Sequence, residues 1–401
     1  MKTECPVKQC ARRVFSAVIC VFVSAAALSG AAVHPMAAIL QAEKFAEGPV
    51  PGWFSPLQYR AKYVWESITH GLTNVLTTSL LVLHEGKIGY EQYYYGRDED
   101  TPQAMFSVTK SVVSALVGIA VKEGKIKGVG QKVIDFFPDA VITDARKLNM
   151  TVEHLLTMRS GLPGDTDRQD ARWWDANAFP GKAYDSGLAA FEMPLIAAPG
   201  EKFSYSSGPG MQTLACLVSR AVGQNLFDYA QEKLFGPLGM ESVRWDAAAD
   251  GANYGGFGIF MTSRDMLRFG ALYLNEGRWD GKQILPERWV AESVPRGLKD
   301  DKGDGYGYLF RAIDSKHSDT YQAQGQFGQF IDISPERKAV IVRTGCPGPL
   351  IYAGMQALNF FQNITGGWIK LHWLKSLFEL QGGAPGLFGR GAYDALRQPV
   401  K

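Results

Sequence analysis

Ser107 and Lys110, in the segment Phe106-Ser107-Val108-Thr109-Lys110, have the types and spacing of a catalytic pair. Residues three apart on a helix share a face, with Cβ atoms about 5–6 Å apart. At a helix N-terminus the serine also gains from oriented amides. A lysine between apolar neighbours has its charged form disfavoured and can take a proton from the hydroxyl. A Ser-x-x-Lys motif arises by chance about once in a chain of this length. The alternative that Ser107 and Lys110 are an exposed helical pair without a catalytic role therefore stays open.

Two later segments strengthen the catalytic interpretation. Tyr205 lies in a loop, residues 199–208, immediately before a predicted helix. Residues 323–329 are glycine-rich and open a predicted strand, where the backbone can approach a ligand closely. In this order the three segments resemble the Ser-x-x-Lys, Tyr-x-Asn and Lys-Thr-Gly boxes of serine β-lactamases and penicillin-recognising proteins.

The segments between the boxes extend this resemblance from about Ser79 to Gly345. Residues 151–162, 235–240 and 268–274 all fit the superfamily pattern. Residues 274–286 and 325–329 resemble the class C-related branch, which contains esterases, D-aminopeptidases and aminohexanoate-dimer hydrolases. Within this branch they are most similar to the aminohexanoate-dimer hydrolases. The resemblance implies an α+β, β-lactamase-like fold, in which an antiparallel sheet is flanked by helices and carries an inserted, mainly helical lobe.

The resemblance also implies a mechanism, acyl transfer through a covalent serine ester. Ser107 attacks the carbonyl while Lys110 accepts its proton, directly or through Tyr205, and Tyr205 protonates the leaving group. The oxyanion is expected between the backbone amides of Ser107 and Gln326. The predicted substrate-binding residues are Ser207, Gln324, Gly325, Gly328, Trp173 and Trp174.

Two departures from the boxes bear on the substrate. Ser207 stands where the second box has Asn, and Ala323 stands where the third box has Lys. Losing a cation that pairs with a carboxylate costs a few kcal/mol of binding. Neutral esters or amides are therefore the expected substrates, with β-lactams and D-amino-acid peptides as the alternative. Trp173 and Trp174, in a long loop over 163–194, either wall the pocket or pack the loop on the body.

The elements that must position these residues follow from hydrophobic spacing. A hairpin over 79–84 and 88–95 precedes a helix over 106–123, and further helices span 211–222 and 226–235. Thr151 caps one more helix, and Thr262 with Asp265 forms a capping box before residues 266–275. Late strands are predicted at 329–333 and 339–344.

Strands at both ends and a helical middle predict one catalytic domain over 40–365. Its α/β lobe combines 40–130 with 305–365, its helical lobe spans 131–304, and residues 366–401 form a C-terminal extension. In that extension an apolar cluster around Trp368 and Trp373 either packs on the body, docks a partner or touches a membrane.

The N-terminal segment predicts export. Four basic residues precede an apolar run ending in small residues near Ala32, which is typical of a signal peptide over 1–32. An uncleaved membrane anchor is the alternative, since about 20 apolar residues span a bilayer. Removing residues 1–36 takes away four of the 42 basic residues and one of the 40 acidic residues, which leaves 38 basic and 39 acidic residues.

Two cysteines remain after this removal. Cys216 is expected to be a buried thiol, although a disulfide bridge to Cys346 is possible.

Composition and missing motifs exclude other classes. A net charge of +2 provides no cationic face, so nucleic-acid binding is not expected. The partner that the resemblance implies is a small ester or amide substrate. Gly-x-Ser-x-Gly, His-Glu-x-x-His and phosphate-loop motifs are all missing, so no metal or cofactor is predicted. The oligomeric state is open. The altered boxes keep a second class of function open, a non-catalytic exported binding module on the same fold.

Overall fold

The computed structural model describes residues 46–56, 76–164, 185–294, 297–300, 303–313 and 319–346. The predicted signal segment, the C-terminal extension, and Trp173 and Trp174 lie outside these ranges. The lobe boundaries stay predictions. Within the described ranges, no helix is long and apolar enough to span a bilayer.

The strands of the described chain are mostly short, and the longer ones come from its two ends. In chain order they are β1 Ala46–Glu47, β2 Leu76–His84, β3 Lys87–Tyr93, β4 Gln103–Ala104, β5 Arg244–Trp245, β6 Ile259–Met261, β7 Arg278–Trp279, β8 Lys282–Gln283, β9 Arg311–Ala312, β10 Tyr321–Gly325, β11 Gln329–Ser334 and β12 Ala339–Cys346.

A seven-stranded sheet has the order β1-β3-β2-β12-β11-β10-β9. Its neighbours are antiparallel except for the short edge pair β1 and β3. Strand β2 pairs with β12, so the sheet joins residues from both ends of the described chain. The predicted hairpin, the late strands and the α+β antiparallel architecture are therefore confirmed.

The helices lie between these strands in sequence. They are α1 Val108–Lys122, α2 Val152–Leu156, α3 Ala189–Glu192, α4 Pro209–Val222, α5 Leu226–Ala230, α6 Ser263–Leu274 and α7 Glu287–Ser293. Every residue of α1 from Val108 to Ala120 is buried, polar Thr109, Lys110, Ser111 and Ser114 included, so the helix lies inside the core. Helix α1, which begins immediately after Ser107, is thus an internal element of the fold.

Both predicted capping residues act as caps. Thr151 accepts a hydrogen bond from the amide of His154, and Thr262 accepts one from the amide of Asp265. In each case the third residue returns a bond to the cap's own amide. One helix differs from expectation: after α5, residues 231–235 widen into a π-helical turn, in which Gly236 N donates to Gln231 O. This turn buries Leu234 and Phe235 completely.

Both described cysteines are free thiols, so the possible Cys216–Cys346 bridge is not formed. Cys216 is buried in α4, as predicted, and burial raises the pKa of its thiol to about 12. It is therefore an inert core residue.

Candidate active site

Ser107 is the N-cap of α1, immediately after a tight turn of the backbone. The turn follows β4, whose pairing with β6 continues as a hydrogen bond from Met105 N to Ile259 O of 2.8 Å. Ser107 is partly exposed, while the helix behind it is buried. Since α1 cannot shift without disturbing the core, the serine is held in a fixed place at the helix N-terminus.

Lys110 lies one turn into α1 and is only 2% exposed. Its Nζ atom donates to Ser107 Oγ at 2.6 Å and to the backbone carbonyl of Gly256 at 2.8 Å. The predicted Ser-Lys contact is therefore formed, and Lys110 is buried rather than exposed. This is the geometry in which an amine can exchange a proton with the serine hydroxyl.

The loop that carries Gly256 is a part of the site that sequence reasoning missed. A Cβ atom on Gly256 would lie 2.0 Å from the carbonyl oxygen of Ser207, and one on Gly255 would lie 2.0 Å from that of Met211. Buried Gln212 accepts a hydrogen bond from Gly255 N at 3.2 Å. Paired glycines signal close backbone packing, but spacing alone does not reveal what they pack against.

Tyr205, the third predicted catalytic residue, lies beside the Ser-Lys pair. The amide of its neighbour, Ser204, donates to Met158 O at 2.8 Å, which ties this loop to the end of α2. The Tyr205 ring centroid is 5.0 Å from Lys110 Nζ. One pocket brings this tyrosine together with the Ser-Lys pair, and its lining residues are Ser107, Lys110, Tyr205, Tyr306, Leu309, Arg311, Gln322 and Gln324.

Strand β10 forms one wall of this pocket through alternate residues. Gln324 is exposed and lines the pocket with Gln322, while Ala323 is fully buried on the opposite face. Gly325 has no room for a side chain, because a Cβ atom would lie 2.3 Å from Met105 O. This glycine therefore brings β10 against the segment that leads into Ser107, rather than leaving space for a ligand.

The turn from β10 to β11 carries Gln326 and is held by hydrogen bonding to Arg343. This fully buried guanidinium donates to Gly328 O at 2.8 Å and to Thr77 Oγ1 at 3.0 Å. Gly328 must lack a side chain, because a Cβ atom would lie 1.5 Å from Arg343 Nη1. Among the described residues, the amides of Ser107 and Gln326 donate no hydrogen bond. Their role as oxyanion donors stays a prediction.

Arg311 is a pocket residue that the sequence reasoning missed. Its guanidinium carbon lies 5.5 Å from the Tyr205 ring centroid and 5.2 Å from that of Tyr306. It is paired with the buried carboxylate of Asp300 and keeps 25% of its side chain exposed. Strand pairing places Arg311 opposite Gln322, next to the position of Ala323. No local pattern marks it, since it lies on the short edge strand β9.

The remaining predicted substrate residues differ in their placement. Ser207 is 9% exposed, and the described lining of the pocket does not include it; its backbone packs against Gly256 instead. Trp173 and Trp174 lie outside the described residues. Gln324 is therefore the predicted binding side chain that the structure brings to the pocket.

Known proteins share both the sequence pattern and the fold. An uncharacterized protein of Mycobacterium tuberculosis is 26% identical over 253 residues, which is 51% of this chain and 62% of the relative. The 6-aminohexanoate-dimer hydrolase of Paenarthrobacter ureafaciens is 23% identical over 242 residues, 58% of this chain and 61% of the enzyme. The matches thus span about three fifths of these curated relatives.

Solved structures show the same fold at low identity. A proposed 6-aminohexanoate-dimer hydrolase from Bacillus anthracis superposes with a TM-score of 0.61 at 21% identity, over 81% of this chain and 88% of that one. A penicillin-binding-protein homologue from Caulobacter crescentus gives 0.57 at 17% identity, over 75% and 93%. The family model described as Beta-lactamase matches residues 66–344, well over half of the sequence. The chain belongs to the Beta-lactamase family.

Proposed function

We propose that this protein is a serine hydrolase that cleaves ester or amide bonds of small substrates through an acyl-enzyme on Ser107. The observation that carries the proposal is the 2.6 Å contact between Lys110 Nζ and Ser107 Oγ, in a pocket shared with Tyr205. A pocket-facing serine in contact with a buried amine is the arrangement that nucleophilic catalysis requires. The predicted export signal would place this reaction outside the cytoplasm.

In the first half-reaction, Ser107 Oγ bonds to the substrate carbonyl carbon, and its proton passes to the amine form of Lys110. The resulting oxyanion is stabilised by the amides of Ser107 and Gln326. The intermediate then breaks its bond to the leaving group, which takes a proton from Tyr205. Tyr205 regains a proton from Lys110, which leaves the acyl-enzyme and both side chains in their starting forms.

In the second half-reaction, water replaces the leaving group. Its oxygen bonds to the acyl carbon as its proton passes to Lys110, directly or through Tyr205, and the same two amides hold the oxyanion. Lys110 later returns this proton to Ser107 Oγ. The bond to Ser107 Oγ then breaks and the serine regains its proton, so the acid is released and the enzyme is restored. The relatives support hydrolysis with acyl transfer, since one is a 6-aminohexanoate-dimer hydrolase and a structural neighbour, EstCE1, is a hydrolase with promiscuous acyltransferase activity.

Replacement of the nucleophile tests the proposal. A Ser107→Ala variant with wild-type circular dichroism and melting temperature is expected to lose turnover of short p-nitrophenyl esters and of short amide oligomers. Ser111→Ala, one turn along the same helix, is the control, because its hydroxyl is committed to Leu309 O at 2.7 Å. The proposal fails if folded Ser107→Ala keeps the wild-type rate.

Arg311 favours a second candidate, hydrolysis of substrates that carry a carboxylate, such as β-lactams or D-amino-acid peptides. The loss of the third-box lysine at Ala323 argued against such substrates, yet the pocket holds a different cation. A guanidinium recognises a carboxylate through paired hydrogen bonds. Nitrocefin, and the matched esters p-nitrophenyl valerate and mono-p-nitrophenyl glutarate, separate the candidates.

The matched variant for this comparison replaces both members of the ion pair, because replacing Arg311 alone would remove the cation beside the buried carboxylate of Asp300. If Arg311 binds a carboxylate, the double variant Asp300→Asn, Arg311→Gln lowers the ratio of glutarate to valerate turnover at least tenfold. An unchanged ratio, together with no nitrocefin turnover by the wild type, would leave the neutral substrates as the better description.

A further inference from the structure

Residues other than glycine with a left-handed backbone fall into two groups in the described chain. Five of them are exposed residues in turns: Glu85, Tyr95, Glu276, Asp280 and Lys338. The other four are large apolar residues: Phe106, Met158, Leu309 and Phe327. Such a conformation is strained for a bulky side chain and persists only where the surrounding structure enforces it.

All four apolar residues adjoin the proposed catalytic groups. Phe106 immediately precedes Ser107, and Phe327 immediately follows Gln326. Leu309 lines the pocket itself. Met158 accepts the hydrogen bond of Ser204, the residue before Tyr205. In the described chain, the large apolar residues with this strained backbone therefore all lie around the site.

Two of these strained residues touch each other. The rings of Phe106 and Phe327 meet edge to face, with their centroids 5.2 Å apart and their planes at 72°. Their φ angles are +47° and +60°. We propose that the Phe106–Phe327 contact is a positioning pair, which sets the distance and direction of the Ser107 and Gln326 amides that hold the oxyanion. This inference rests on the proposed function.

The geometry explains why two aromatic residues tolerate this backbone. The φ angle of Phe106 helps set the direction in which the chain enters Ser107, and that of Phe327 constrains the turn that carries Gln326. The two amides belong to segments far apart in sequence, so a contact between the segments must fix their separation. One such contact is the close packing of Gly325 against the carbonyl oxygen of Met105. A second is the contact between the rings of Phe106 and Phe327, which adjoin the two amides in sequence.

The burial of Phe327 indicates that its side chain packs within the protein and does not contact the substrate. This side chain is 4% exposed, whereas Phe106 is partly exposed. Aromatic rings at this separation and angle attract each other beyond their buried area. Neither residue supplies a group that reacts, so each is expected to act through the amide beside it.

The test measures the oxyanion site directly. Phenylboronic acid forms a tetrahedral adduct with a nucleophilic serine, and its affinity reports how well the two amides are placed. For Phe106→Leu and Phe327→Leu we expect at least a tenfold loss of kcat/KM on p-nitrophenyl acetate and a loss of boronate affinity by a similar factor. Phe106→Tyr, which keeps the ring, is expected to restore both.

Tyr95→Leu is the matched control, because Tyr95 is an aromatic residue with φ of +58° that is 62% exposed. If Phe327→Leu does not fold, Phe327→Gly replaces it, since glycine adopts the left-handed backbone without strain. Losses below tenfold in the folded variants would overturn the proposal, as would lower kcat/KM at unchanged boronate affinity. If Ser107→Ala keeps full turnover, the proposed function itself fails; if only the ring variants lack an effect, the positioning pair alone fails.

Discussion

The backbone carbonyl of Gly256 accepts a hydrogen bond from Lys110 Nζ at 2.8 Å, and the same nitrogen lies 2.6 Å from Ser107 Oγ. A loop far from Lys110 in sequence thus directs the proposed base towards the proposed nucleophile. That loop is held by Gln212 and by packing of Gly256 against Ser207. Preorganised hydrogen bonds of this kind keep a reacting pair aligned before the substrate arrives.

Gly256→Ala is expected to disturb this alignment. The added methyl group would lie 2.0 Å from Ser207 O, so the loop must move and its carbonyl must leave Lys110. We expect kcat/KM on p-nitrophenyl esters to fall at least tenfold, with about 1–3 kcal/mol less stability from overpacking. Gly130→Ala is the control, since a Cβ atom there meets nothing within 4 Å. Equal activity of the two variants would contradict this role.

Lys110→Met removes the proposed base while keeping an unbranched side chain of similar length. Loss of a general base lowers the rate by about 10²–10⁴, and steady-state kinetics on esters measures the loss. Lys122→Met, at the exposed end of the same helix, controls for general effects on α1. A Lys110→Met enzyme within threefold of wild type would remove the lysine from the mechanism.

Tyr205→Phe keeps the aromatic ring and deletes only the hydroxyl. We expect a loss of about 10²–10⁴ in kcat/KM, the share that acid–base catalysis usually contributes. The loss is expected to be smaller for esters with good leaving groups, because these need less protonation. Tyr90→Phe on β3 serves as the control. A uniform change of less than threefold across the series would exclude Tyr205 as the acid.

His154 links stability to pH. Burial, with Lys132 nearby, lowers the pKa of its imidazole, and the neutral Nδ1 accepts the hydrogen bond from Thr151 N in the capping box. The unfolded chain binds this proton more readily, so the contribution is present above the ordinary pKa of about 6.5 and is lost as pH falls below it. Urea unfolding at pH 7.5 and 5.5 is expected to show a larger acid loss in wild type than in His154→Gln. Identical losses would contradict this account.

The elements that sequence predicts well are those that local patterns determine. The caps at Thr151 and Thr262 and the strand at 339–344 need only neighbours in the chain, and all are confirmed. The sequence does not predict the π-helical turn at 231–235, because the spacing of its residues is that of an ordinary helix.

The site divides along the same line. The spacing of Ser107 and Lys110 revealed the pair because one helical turn joins them. Gly256 reaches Lys110, and Arg311 reaches the pocket, from segments distant in sequence, so no spacing connects them to Ser107. The same limit explains why Gly325 and Gly328 were predicted to bind substrate. In the structure Gly325 packs against the backbone of Met105, and Gly328 packs against the side chain of Arg343.

Covalent labelling of Ser107 tests the central claim most directly. Wild-type protein is treated with a fluorophosphonate, and intact mass with peptide mapping locates the adduct, alongside Ser107→Ala and Ser111→Ala. The mechanism predicts one adduct per chain at Ser107, absent from Ser107→Ala, retained in Ser111→Ala and accompanied by loss of ester turnover. Unmodified Ser107 in protein that continues to hydrolyse esters, or an inactivating adduct at another residue, would contradict it.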